Sequence, residues 1–150
     1  MEHSQKAAEL FLKGYNCAQA VVIAFSDLTG MDQDYAAKLS SGFGGGMGGL
    51  REVCGAVSGM NLVLSYLYGY ESPTDDEAKK QLYSQVRELA EQFREQTGSV
   101  ICREILKNPL VDPNPSPRTA EYYAKRPCAR MVMVAADLLD DFIARNPLHE

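Results

Sequence analysis

Cys17, Cys54, Cys102 and Cys128 are the residues of this chain with the widest chemical reach. As thiolates, cysteines attack disulfides and bind soft metals, and four of them form the usual ligand set of an iron–sulfur cluster. Their separations of 37, 48 and 26 positions include no close C-x₂₋₄-C pair of the kind that marks a zinc site or a compact ferredoxin run. The chemistry therefore depends on whether the fold gathers them. Around one thiol the sequence is unusual: GFGGGMGGLREVCGAVSG, residues 42–59, holds eight glycines and Cys54. Ordering glycine costs conformational entropy, so a stretch this rich in it points to close approach or left-handed backbone.

Gly44, Gly46 and Gly49 match G-x-G-x-x-G spacing, but the preceding DYAAKLSS is helical in character and no βαβ unit surrounds it. No nucleotide is expected. Gly44, Gly45 and Gly46 instead suit a loop whose backbone N–H groups can face an anion or the sulfurs of a cluster. Gly55 and Gly59 lie four apart on a helix and clear one face beside Cys54, for another helix or for a cofactor held by the thiols. Access to Cys54 is the role these glycines suggest, with Cys54 as the exposed attacking thiol.

Other chemistries find little support. His3 and His149 lie near the two ends and are poor candidates for a base or a ligand, which leaves no Ser/His/Asp or Cys/His arrangement. Asp75, Asp76 and Glu77 suit a helix start, where acids complement the dipole. Asp137, Asp140 and Asp141 read as a solvated helix face. A net charge of -5 and a pI near 5.1 argue against a nucleic-acid binder. No apolar run approaches the roughly 20 residues of a membrane span, and the polar opening MEHSQKAAELFLKG does not resemble a signal peptide. These features predict a cytoplasmic protein with reduced thiols.

The elements that must position the cysteines are helices throughout, and residues 1–150 read as one all-α domain, a bundle of about five main helices with a glycine-rich loop. Ser4 to Lys13 is closed by Gly14, and Asn16 caps a helix from Cys17 to about Leu28. Asp32 caps a shorter one. Leu50, Val53, Ala56, Val57, Met60, Val63, Leu64 and Leu67 recur three and four apart, the stripe of a buried helix face. Thr74 and Glu77 form a capping box ahead of the Leu82–Phe93 stripe, which Gly98 ends. Ser99 starts a short helix, Asn108 to Pro117 is irregular, and Pro127 opens the last helix.

All four cysteines then fall near helix starts, where free N–H groups and the dipole favour thiolate. Arg51, Arg103, Lys125, Arg126 and Arg130 are close in sequence and add to this if they point inward. The alternative is four thiols scattered through the core as small hydrophobes.

The segment Cys54-Gly55-Ala56-Val57-Ser58-Gly59 fits C-G-A-x-x-G, and with it the chain resembles the C_GCAxxG_C_C family. The other characteristic cysteines match as Cys17 in GYNCAQAV, Cys102 in GSVICREIL and Cys128 in KRPCARMV, so the resemblance runs from Gly14 to Val132. It implies a redox-active protein whose four cysteines form one site and leaves the reaction open. A metal site comes first, with Cys17, Cys54, Cys102 and Cys128 holding an iron–sulfur cluster for electron transfer, zinc being a weaker fit. The second function is a dithiol oxidoreductase or redox sensor. The third is a non-redox helical module, in which the 74–98 helix or Tyr66, Tyr68 and Tyr70 form a homodimer face. The redox partner is not legible.

Overall fold

The computed structural model describes residues 2–107 and 114–148, and of residues 124 and 125 the backbone only. Most of the stretch expected to be irregular, 108–113, lies outside them, as do His149 and the Lys125 side chain. Nine right-handed helices form among the described residues: α1 (Glu2–Leu12), α2 (Cys17–Ala24), α3 (Ser26–Thr29), α4 (Gln33–Ser40), α5 (Gly55–Tyr68), α6 (Asp76–Thr97), α7 (Cys102–Leu106), α8 (Ala120–Lys125) and α9 (Cys128–Arg145). Six have eight or more residues, and the all-α expectation holds. None is long and apolar enough to cross a membrane.

The core is built around α2. Cys17, Ala18 and every residue from Ala20 to Ala24 are buried, so the helix is apolar on all sides and α1, α4, α5 and α9 pack around it. Asn16 accepts from the Gln19 amide while the Gln19 side chain accepts from the Asn16 N–H, a complete capping box. Helices α1 and α9 run antiparallel, with His3 meeting Asp140 at one end and Phe11 meeting Tyr122 and Tyr123, just before α9, at the other. The longest helix, α6, buries only Leu82, Leu89 and Phe93, spaced as one stripe. Its cap is Asp75, which accepts from the Ala78 amide, in place of the expected Thr74.

Two features depart from the expected pattern. The Leu50–Leu67 stripe begins helical only at Gly55; Leu50 and Val53 stand exposed, and Arg51 has φ 59°. In place of a first helical turn, Val53 pairs antiparallel with Ile101, where Cys54 N–H donates to Val100 O at 2.7 Å and Cys102 N–H to Glu52 O at 2.6 Å. The glycine loop is also more regular than a loop. Gly45, Gly46, Met47, Gly48 and Gly49 all have φ between 60° and 83°, a left-handed helical turn. Left-handed backbone costs roughly 1–2 kcal/mol per residue that carries a Cβ, and here only Met47 bears it.

Candidate functional site: four thiols at four helix starts

Each cysteine sits at a helix N-terminus. Cys17, Cys102 and Cys128 are the first helical residues of α2, α7 and α9, and Cys54 is the N-cap of α5. The local causes differ. The Asn16 capping box places Cys17, the Val53–Ile101 pairing sets Cys54 and Cys102 diagonally across a two-strand contact, and Pro127 precedes Cys128. Ser99, expected as the cap before Cys102, instead accepts from the Ile101 amide and donates to Glu104, while Ile101 takes the cap position. All four thiols line one cavity of about 510 Å³.

Glycine geometry permits this convergence. A Cβ on Gly55 would stand 3.2 Å from the Cβ of Cys17, and one on Gly59 only 2.8 Å from Ala18 O. These two glycines let α5 cross α2 closely. Gly46, at φ 71°, would bring a Cβ to 2.7 Å from the Cβ of Cys102. Gly44, Gly45, Gly46 and Gly55 line the cavity; Gly59 does not, and serves the helix crossing alone.

The four thiols are chemically unequal. Cys17 and Cys128 line the cavity together, and each is the strongest influence on the other. The Cys17 side chain holds Cys128 below the ordinary cysteine range; burial opposes it, and Arg126, Arg118 and Arg51 reinforce it. Cys17 is raised well above the ordinary range, by Cys128 first and then by burial. Burial pushes Cys54 up to about 12, although the amides of Ala56 and Val57 act in the opposite direction. Burial also raises Cys102, whose sulfur accepts from Arg51 Nη1 at 3.8 Å. Cys54, expected to be the exposed thiol, is buried, only 5% exposed.

Of the cations near the cysteines in sequence, Arg51 and Arg126 face the cavity. Arg103 turns to Glu52, and Arg130 donates to Gln96 O at 2.8 Å. Sequence spacing missed Arg118, ten residues before Cys128. It reaches the site by donating to Phe11 O and Tyr15 O, with its guanidinium 4.6 Å from the Phe11 ring and 4.9 Å from Tyr122. The only advance signal was a lone arginine after a proline-rich stretch.

A family model described as "Putative redox-active protein (C_GCAxxG_C_C)" matches residues 15–142, a span that includes all four cysteines and, except for Phe11 and Gly14, the cavity lining from Asn16 to Met131. The chain belongs to this family. Its redox character and its four-cysteine pattern accord with thiols gathered at one cavity. No curated protein and no solved structure matches the chain. As for a single metal ion, no group of three or more His, Cys, Asp or Glu among the described residues is arranged to hold one. Zinc, which needs thiolates converging at about 2.3 Å from one point, does not fit the thiols as they stand.

Proposed function

We propose that this C_GCAxxG_C_C protein is a dithiol–disulfide redox protein in which Cys128 is the attacking thiol and Cys17 its bonding partner. The observation that carries this reading is the placing of both thiols, at the starts of α9 and α2, on one cavity with Arg51, Arg118 and Arg126, where each is the strongest influence on the other. A thiolate facing three guanidiniums is the more reactive form of cysteine, and the neighbouring thiol serves to resolve a mixed disulfide. As thiolate and thiol, the pair gives two electrons and one proton on forming its bridge and is regenerated by a reductant. Cys54 and Cys102 line the same cavity. The test is peptide mapping after mild oxidation of the fully reduced protein. A Cys17–Cys128 bridge that Cys128→Ser abolishes is expected. A bridge that joins Cys54 to Cys102 instead, or no bridge at all, overturns the reading.

A second reading keeps all four cysteines as ligands of an iron–sulfur cluster used in electron transfer. It is favoured by the common cavity and its glycine backbone. A cluster distributes its thiolates over several irons, so they need not converge on one point as they must for zinc. The chemistry such a group supplies is one-electron transfer; Cys17, Cys54, Cys102 and Cys128 would hold it. Visible absorption with iron, sulfide and zinc analysis on protein purified without oxygen tests it. Stoichiometric iron and sulfide, lost in Cys54→Ser, support the cluster; a colourless sample after reconstitution rejects it.

A further inference from the structure

The cavity carries information about what reaches the thiols. Among the described residues its lining includes three arginines, Arg51, Arg118 and Arg126, and no aspartate, glutamate or lysine. This contrasts with a chain in which 20 acidic residues outnumber 15 basic ones. Arg118 and Arg126 both stand 4.9 Å from the same Tyr122 ring, one stacked from each of two chain positions that flank α8. Among the described residues neither forms an ion pair with a carboxylate. Arg118 spends its donors on the carbonyls of Phe11 and Tyr15, so it contributes charge more than a free fork. The one side-chain acceptor given to Arg126 is Ser116 Oγ, at a long 3.4 Å. Two like charges on one ring raise each other's energy, and an anion between them relieves it.

The shape narrows the class. Cys17 is buried and Cys128 half-buried, and both are reached through a cavity of about 510 Å³, within the size range of small-molecule sites. A disulfide on a folded protein surface does not enter such a cavity; a low-molecular-weight disulfide does. Guanidinium favours planar oxyanions, carboxylate above all.

We propose that the cavity admits a carboxylate-bearing low-molecular-weight disulfide, an acid group facing Arg126 beside the Arg118 charge and its S–S bond set against Cys128. The inference rests on the dithiol reading above. Cys128 thiolate attacks one sulfur of the disulfide, forming a mixed disulfide and releasing the first small thiolate. Cys17 then loses its proton and attacks Cys128 Sγ, forming the Cys17–Cys128 bridge and releasing the second small thiolate. Protonated, the two leaving groups are two thiols; the protein dithiol is oxidised by two electrons and the small disulfide reduced by two.

The test compares oxidation rates of the reduced protein by three probes: oxidised glutathione (anionic), 2-hydroxyethyl disulfide (neutral) and cystamine (cationic). Each rate is divided by that of the same probe with a small model thiol. The expected result is a preference of about tenfold or more for the anionic over the cationic probe at low salt, shrinking as salt rises. Arg126→Gln should reduce that ratio severalfold and Arg126→Lys largely keep it. Because the readout is a ratio, any change in Cys128 reactivity cancels. Equal rates for all three probes, a preference for cystamine, or a ratio indifferent to Arg126→Gln would overturn the substrate class while leaving the dithiol intact. Failure of even the neutral probe to produce the Cys17–Cys128 bridge would overturn the dithiol reading and this inference with it.

Discussion

At the scale of single residues, the site is a set of four identical side chains made unequal by their surroundings. Cys128 has a lowered pKa because Cys17 adjoins it and arginines face it; Cys54 is pushed to about 12 because it is buried. A lowered pKa means that the thiolate persists to lower pH, so the sign of the pH dependence follows directly. Iodoacetamide labelling of the reduced protein, read by mass spectrometry, is expected to modify Cys128 first at neutral pH and Cys54 last. The pH of half-maximal labelling should be lower at Cys128 than at Cys102; the reverse order would show that Cys17 and the arginines do not favour the Cys128 thiolate. The cysteines themselves and the C-G-A-x-x-G segment were legible in the sequence, because residue type and local spacing carry them. Their ranking was not. Which thiol is buried depends on contacts from distant segments, and spacing made Cys54 the accessible one because its glycine neighbours looked like open space. In the fold that space is filled by α2.

At the scale of elements, helix identity was legible and helix onset was not. Leu50 and Val53 fit the helical stripe by spacing, yet the left-handed turn and a pairing with Ile101, nearly fifty residues away, override it. A single long-range bridge has no local signature. The same elements make two glycines costly to replace. Gly46→Ala places a Cβ on left-handed backbone and 2.7 Å from both Cys102 Cβ and the Arg51 Cα. A loss of about 2–4 kcal/mol is expected from strain plus overpacking, measured by urea denaturation of the reduced protein. Gly59→Ala gains helix propensity of about 1 kcal/mol but drives a Cβ to 2.8 Å from Ala18 O. Overpacking at a backbone contact costs roughly 1–3 kcal/mol, so a net loss is expected. An unchanged or raised midpoint would mean that α2 and α5 separate more easily than their packing implies.

At the scale of the whole molecule, α1 and α9 tie the two ends of the bundle together. The end far from the cavity carries a cluster that sequence reasoning passed over. His3 stacks on Phe25 at 4.2 Å, contacts Asp140 at 2.8 Å and Asp27 at 3.0 Å, and so joins α1, α3 and α9. A histidine near a chain end looked inert because proximity to α9 depends on the antiparallel packing of elements more than a hundred residues apart. Likewise Asp140 is largely covered, not part of a solvated face. Its carboxyl is raised, by burial first. His3→Ala is expected to lower stability by about 1–2 kcal/mol from lost polar contacts and stacking. For a chain of this size that is roughly 2–8 °C in Tm by calorimetry. The thiol labelling order should not change, since the cluster lies about 18 Å along α9 from Cys128.

The two thiols proposed to bridge across the cavity, Cys17 and Cys128, are about 110 positions apart in the chain. In the unfolded polypeptide a bridge between them would close a very long loop, which removes on the order of 4–5 kcal/mol of chain entropy from that state. Folding abolishes this penalty by bringing Cys17 and Cys128 together beforehand. The electron affinity of the pair is therefore a property of the entire bundle. For a two-electron couple, each ~1.4 kcal/mol by which the native packing favours the bridge lowers the reduction potential by ~30 mV. On the dithiol proposal, substitutions remote from sulfur, such as Gly59→Ala, are expected to shift the potential, and a redox titration of such variants weighs the packing between α2 and α5 in millivolts.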